Sequence, residues 1–193
     1  MQPYFLPYIG YWQLINYVDK FVIYDNIQYT KKGWINRNRF LQNGKASTFT
    51  IPLKKDSDYL NISDRKISSA FNKKSFLSKM TYSYSKSHKS KDILVLIEKI
   101  INNKSDNLFT FIHHSITHIC ELLDIDYSKI ITSSDVSINH NLKSQKKIIS
   151  ICKNLKCNEY INPIGGQNLY LKSEFEDEGI KLNFLESNKI VYN

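Results

Sequence analysis

Arg37 and Arg39 stand two residues apart in a chain where arginine is scarce. Lysine and arginine together number 27; Arg37, Arg39 and Arg65 are the only arginines, and the remaining 24 are lysine. A planar guanidinium can hold phosphate or carboxylate through two parallel hydrogen bonds, whereas an ammonium acts as a point charge. Side chains at i and i+2 of an extended segment share a face. If Trp34–Phe40 is extended, Arg37 and Arg39 lie together with Ile35 and Leu41 and can grip one anion. Trp34, Asn36 and Asn38 then lie on the opposite face. The competing reading is an edge strand that sends its charges to water.

Two further groups have chemistry-bearing side chains. Asp25, Gln28 and Tyr29 follow the apolar run Phe21-Val22-Ile23-Tyr24, and α/β proteins build sites where strands hand over to loops. Asp25 reads as a general base or hydroxyl anchor, or equally as an Asx turn that closes the strand. The loop from Gln2 to Tyr11 holds Tyr4, Tyr8, Gly10 and Tyr11, punctuated by Pro3 and Pro7. Tyr4, Tyr8, Tyr11 and Trp34 offer aromatic faces with polar edges, which suit a sugar. A helix start after Pro7 would also present backbone N–H groups to an anion. The alternative is a packing turn with aromatic anchors. Near the other end, Gly165-Gly166 follows Asn162-Pro163 and precedes Tyr170. Paired glycines let backbone approach a phosphate or sugar. Without the full Gly-x-Gly-x-x-Gly pattern or a P-loop lysine they assign no nucleotide by themselves.

Other patterns point away from metal and cofactor chemistry. His114 and His118 are four apart beside His113, but no Glu lies between them, so the zincin spacing fails. These histidines read as solvent-facing. Cys152 and Cys157 are five apart, unlike Cys-x-x-Cys, and Cys152 fits a core position. No Gly-x-Ser-x-Gly elbow occurs. No metal and no cofactor is expected.

The elements that position these groups follow from periodicity and turn signals. Gly10–Asp19 reads as a helix with Tyr11, Leu14, Ile15 and Val18 on one face. Lys20–Tyr24 reads as a buried strand. Asn43-Gly44 marks a hairpin between 34–41 and 47–53, and Pro52 ends its second strand or places it at an edge. Residues 65–91 hold eight basic residues and no acid, with rough helical spacing. Ile93–Ile101 and Leu108–Leu123 are helices, the second with a clear apolar stripe. Lys129–Thr132 is a short strand and 143–156 a helix. Glu159–Asn162 and Lys181–Leu185 are strands joined through a short helix at Ser173–Glu178, with Ser173 as N-cap and Gly179 just past its end. Strands alternating with helices predict an α/β fold, Rossmann-like, with a largely parallel sheet. A single domain over 1–193 with a helical lobe at 65–125 is expected.

Composition bounds the partners. Hydrophobic residues make up 41% of the chain and aromatic residues 13%, enough for a real core. No run approaches the ~20 apolar residues that span a bilayer, and no secretory leader pattern opens the chain. Three cysteines fit a reducing compartment, so a cytoplasmic protein is expected. The net charge of +9 is mostly lysine in a chain also rich in Asn, Ile and Ser. Compositional bias explains it better than selection for an anionic surface. Nucleic acid is therefore not an expected partner beyond weak, salt-sensitive association.

The run Gln2-Pro3-Tyr4-Phe5-Leu6-Pro7-Tyr8-Ile9-Gly10-Tyr11, with Asp19, Asp25, Gln28-Tyr29, Gly33-Trp34 and Asn36-Arg37-Asn38-Arg39, resembles the WbqC-like family of bacterial proteins. Tyr160-Ile161-Asn162-Pro163-Ile164-Gly165-Gly166, Leu169-Tyr170, Phe175 and Gly179-Ile180 fit its C-terminal region. The resemblance implies a role in bacterial surface polysaccharides such as O-antigen, because the family's genes sit in such clusters. It implies no agreed reaction. Acyl or aminoacyl transfer to an activated amino sugar is the expected activity. The alternative is a non-catalytic protein that binds a sugar nucleotide or scaffolds other enzymes of the pathway. Pro7-Tyr8-Ile9-Gly10-Tyr11 also stands where nucleotidyltransferases with a His-x-Gly-His motif have Pro-His-x-Gly-His. Here tyrosine replaces both histidines and cannot carry their charge. The resemblance begins almost at residue 2 and stops near Tyr192, so a chain lacking its first strand and a C-terminal segment is expected.

Overall fold

Asn43 and Gly44 both take left-handed backbone, φ +52° and +73°, as a two-residue turn between twisted strands requires. A computed structural model describes residues 1–187 of the chain. In chain order its elements are α1 (Ile9–Tyr17), β1 (Phe21–Ile23), β2 (Arg37–Gln42), β3 (Lys45–Thr50), α2 (Lys73–Tyr84), α3 (Ser90–Ile101) and α4 (Leu108–Leu122). After these come β4 (Ile130–Thr132), α5 (Ser144–Asn154), β5 (Glu159–Pro163), α6 (Lys172–Glu176) and β6 (Lys181–Leu185). They fall into two compact units, Met1–Pro7 with Tyr24–Tyr127, and Tyr8–Ile23 with Ser128–Asn193.

The first unit joins the β2–β3 hairpin to three helices. The hairpin is antiparallel and registers Arg37 opposite Thr50 and Gln42 opposite Lys45. Asn72 and Asn107 cap α2 and α4 by accepting from the Ser75 and Thr110 N–H groups at 2.8 and 2.9 Å. Such caps satisfy donors that the helix itself leaves open. Its core is aromatic. Fully buried Phe5 lies 5.9 Å from Phe49 and 5.5 Å from Phe111 between ring centroids, and Phe49 lies 5.0 Å from Phe76. Helix begins only at Lys73 within 65–91. Lys66 and Ile67 are drawn into bridges instead, with Leu53 opposite Ile67 and Lys66 opposite Asn107.

In the second unit, β1 pairs with β4 and β5 with β6, both parallel. Tyr11 is fully buried, its ring 5.3 Å from Phe21. Ile148, Ile149, Cys152, Phe175, Ile180 and Leu182 form a second core cluster. Residue 171, not Ser173, precedes α6. The Gln145 side chain holds that start, accepting from the Leu171 N–H at 2.7 Å and donating to its carbonyl at 3.2 Å. Gly179 takes φ +69°, and the Ile180 N–H returns to the Phe175 carbonyl at 2.9 Å.

The fold is thus mixed α/β, but the described residues do not form the expected Rossmann-like sheet. The described strands make three separate two-stranded sheets. Alternation correctly announced parallel pairs. The strands in β1 and β4 are three residues long, and the chain between them builds the first unit rather than more strands of a shared sheet. Among the described residues no helix is long and apolar enough to cross a membrane.

Cys152 is buried in the second core, and burial, with Cys157 nearby, pushes its thiol up to about 12. The thiolate is the reacting form. Native protein at pH 8 should therefore leave Cys152 unmodified by iodoacetamide while the urea-unfolded chain reacts. Peptide mass spectrometry over a time course reads this. Native Cys152 reacting as fast as in the unfolded chain would contradict the packing.

Candidate functional site

The strand does not begin at Trp34. Residues 31–36 turn, with the Gly33 N–H bonded to the Thr30 carbonyl at 2.9 Å, and β2 starts at Arg37. A Cβ on Gly33 would sit 3.1 Å from that carbonyl, so the turn favours glycine. Strict alternation over 34–40 therefore fails. Instead of facing away from the arginines, Trp34 lies beneath both. The guanidinium carbon of Arg37 is 5.0 Å and that of Arg39 4.8 Å from the indole centroid. Each contact contributes on the order of 0.5–1 kcal/mol at a surface.

The donors of these cations are largely unused. Arg37 Nη2 donates to the Lys32 carbonyl, while its Nε is buried with no partner. Arg39 is exposed, and among the described residues its guanidinium makes no hydrogen bond. Neither arginine meets a carboxylate among them. Trp34 is 40% exposed. Two guanidiniums beside a partly exposed indole are equipped to take an anion attached to a ring.

A buried polar layer supports that face. Tyr29 donates to Asn36 Oδ1 at 2.8 Å, and Asn36 Nδ2 donates to the Ile51 carbonyl at 2.7 Å. Arg65 covers the Tyr29 ring at 5.0 Å. It is buried and holds the Ser57 and Lys54 carbonyls at 2.9 and 3.3 Å, with no partner for its Nε. Burial pushes the Tyr29 hydroxyl above its ordinary value, and Arg65 and then Arg37 pull against it. Sequence reasoning left Arg65 out of the site, although the rarity of arginine was a signal for it.

The remaining expected residues of this unit bond within the fold. Asn38 Nδ2 donates to the Phe5 carbonyl at 3.3 Å and to that of Leu6, and its Oδ1 accepts from the Arg39 N–H at 2.8 Å. The Phe5 N–H bonds to the Ile35 carbonyl at 3.0 Å. Asn36 and Asn38 thus tie the segment to the fold through their side-chain amides. Gln2 Oε1 accepts from the Tyr4 hydroxyl at 3.0 Å. Asp25 is 6% exposed, and its carbonyl accepts from the Ser63 N–H at 3.0 Å. Gln28 is exposed and donates to the Asp58 carbonyl at 3.0 Å. Hydrogen bonds therefore tie Phe5 and Leu6 to the Trp34–Arg39 segment, and Tyr29 to it as well.

The other expected residues belong to the second unit. Tyr8 is 56% exposed at the start of α1, whereas Tyr11 is core. A Cβ on Gly10 would collide with the Tyr8 ring and Ser187 Oγ, both at 2.4 Å. A Cβ on Gly166 would lie 2.0 Å from the Asn162 amide, so the close approach of that side chain requires glycine there. Gly165 faces open space. The Tyr170 hydroxyl lies 3.4 Å from that of Tyr160, which donates to Asn162 Oδ1 at 3.2 Å. A cleft of about 700 Å³ in this unit, edged by Lys146, Lys153, Glu174 and Glu178, contains none of the residues singled out from sequence.

Comparison with known proteins finds the WbqC-like protein family over residues 2–193. "Uncharacterized protein Rv1507c" of Mycobacterium tuberculosis (strain ATCC 25618 / H37Rv) is 23% identical over 188 residues, covering 96% of this chain and 80% of that protein. No solved structure matches.

Proposed function

This chain belongs to the WbqC-like protein family, and on that premise we propose that it binds an activated, phosphate-bearing sugar in cytoplasmic assembly of bacterial surface polysaccharide. The observation that supports this reading is the pair Arg37 and Arg39 over exposed Trp34 with no carboxylate partner among the described residues. In a nucleotide-linked sugar the diphosphate suits the guanidinium edges. A sugar or base ring suits the indole face. The reaction assigned to this ligand is acyl or aminoacyl transfer to the sugar's amine. A C–N bond forms, the donor's acyl bond to its carrier breaks, and the amine proton passes to a base, for which Asp25 is the candidate. The burial of Asp25 favours a second reading, in which the same arginines hold the ligand for a partner enzyme and no turnover follows.

The chain has two tryptophans. Trp12 is 6% and Trp34 40% exposed, so ligand emission changes should come from Trp34. Titration with a panel of nucleotide-linked sugars is expected to change the fluorescence saturably, and Trp34→Phe to remove that change. The matching unphosphorylated sugars should have no effect. Mass spectrometry after adding acyl-carrier and aminoacyl donors separates transfer from holding. No response to any nucleotide-linked sugar, or equal response to the free sugars, would contradict the reading.

A further inference from the structure

We propose that His114 and His118 on α4 form a two-imidazole site for a late first-row divalent cation such as Zn²⁺, Ni²⁺ or Cu²⁺. Spacing by four places both rings on one side of the helix, and their centroids are 4.2 Å apart at 80°. Two imidazoles sharing a zinc ion at the usual Zn–N length hold their centroids about 5 Å apart. Opening this pair by about 1 Å, through side-chain rotation, therefore admits the ion.

A second feature orients one of the ligands. His118 Nδ1 lies 2.8 Å from Glu121 Oε2, and the Tyr127 hydroxyl also bonds to Glu121. A histidine that gives one ring N–H to a carboxylate presents the lone pair of its other nitrogen, the arrangement that tunes most metal-binding histidines. Neutral imidazole suits borderline ions rather than Mg²⁺ or Ca²⁺. The carboxylate that sequence spacing missed lies three residues beyond the histidine pair instead of within it. Among the described residues no group of three or more His, Cys, Asp or Glu is placed to hold an ion. The site therefore rests on two protein ligands, with water completing the shell.

Calorimetric titration of the untagged full chain with Zn²⁺ or Ni²⁺ tests this. The expected result is saturable binding of one ion, absent in His114→Gln and in His118→Gln and retained in His113→Gln. Glu121→Gln, which removes an orienting group, is expected to lower affinity about 10–100-fold. Circular dichroism checks that each variant folds. Independently of any variant, the ion should protect His114 and His118 of the wild-type chain from diethylpyrocarbonate, read by peptide mass spectrometry. No saturable binding in the wild type, unchanged binding in the double His114→Gln/His118→Gln variant, or unprotected rings would overturn the assignment.

Discussion

Replacing Arg37 and Arg39 together by alanine is expected to weaken binding of a nucleotide-linked sugar by about 3–6 kcal/mol, a hydrogen bond to a charged group contributing about 1.5–3 kcal/mol. The fold should hardly notice. Among the described residues these side chains make one hydrogen bond, to the Lys32 carbonyl, and two contacts with a partly exposed indole. Cation–π contacts of that kind contribute on the order of 0.5–1 kcal/mol each. The matching Arg37→Lys/Arg39→Lys protein keeps the charge and loses the planar fork. It should recover only part of the affinity. The opposite pattern, a lowered Tm with ligand affinity unchanged, would make the pair a structural feature of the hairpin.

Phe5→Ala should be the most damaging single change to stability, at about 3–5 kcal/mol for an aromatic ring removed from a packed core. Phe5 is fully buried against Phe49, Phe76 and Phe111. Its backbone also receives Asn38 and donates to Ile35, so the loss should loosen the segment that presents the arginines. Native stability is only about 5–15 kcal/mol in total. Urea unfolding followed by circular dichroism measures the change. A cost near 0.5 kcal/mol, the scale of an exposed substitution, would contradict the aromatic core.

The two outcomes together separate the halves of the N-terminal block. Sequence reasoning weighed a packing turn against a ligand loop there, and the residues divide between the roles. Phe5 and Tyr11 are core, Gln2 and Tyr4 bond to each other, and Tyr8 is exposed.

Much of the local structure was legible. The hairpin, α3, α4 and β6 lie within a few residues of their expected ranges, because Asn-Gly turns and apolar stripes are local signals. Sheet membership was not legible, since which parallel strands pair depends on distant segments. Alternation from Trp34 failed because it assumes extended backbone, and the Thr30–Gly33 turn delays the strand by three residues. The roles of Asn36 and Asn38 were hidden for a similar reason. Their partners are the backbone of residues 51 and 5–6, far away in sequence. Arg65 likewise meets Tyr29 only through the folded chain.

A structure of the protein with a nucleotide-linked sugar bound tests the central claim most directly. The expected result places phosphate oxygens within hydrogen-bonding distance of both the Arg37 and Arg39 guanidiniums, with a ring of the ligand against Trp34. Ligand seated elsewhere, as in the cleft beside Lys146 and Glu174, with both arginines untouched, would contradict it.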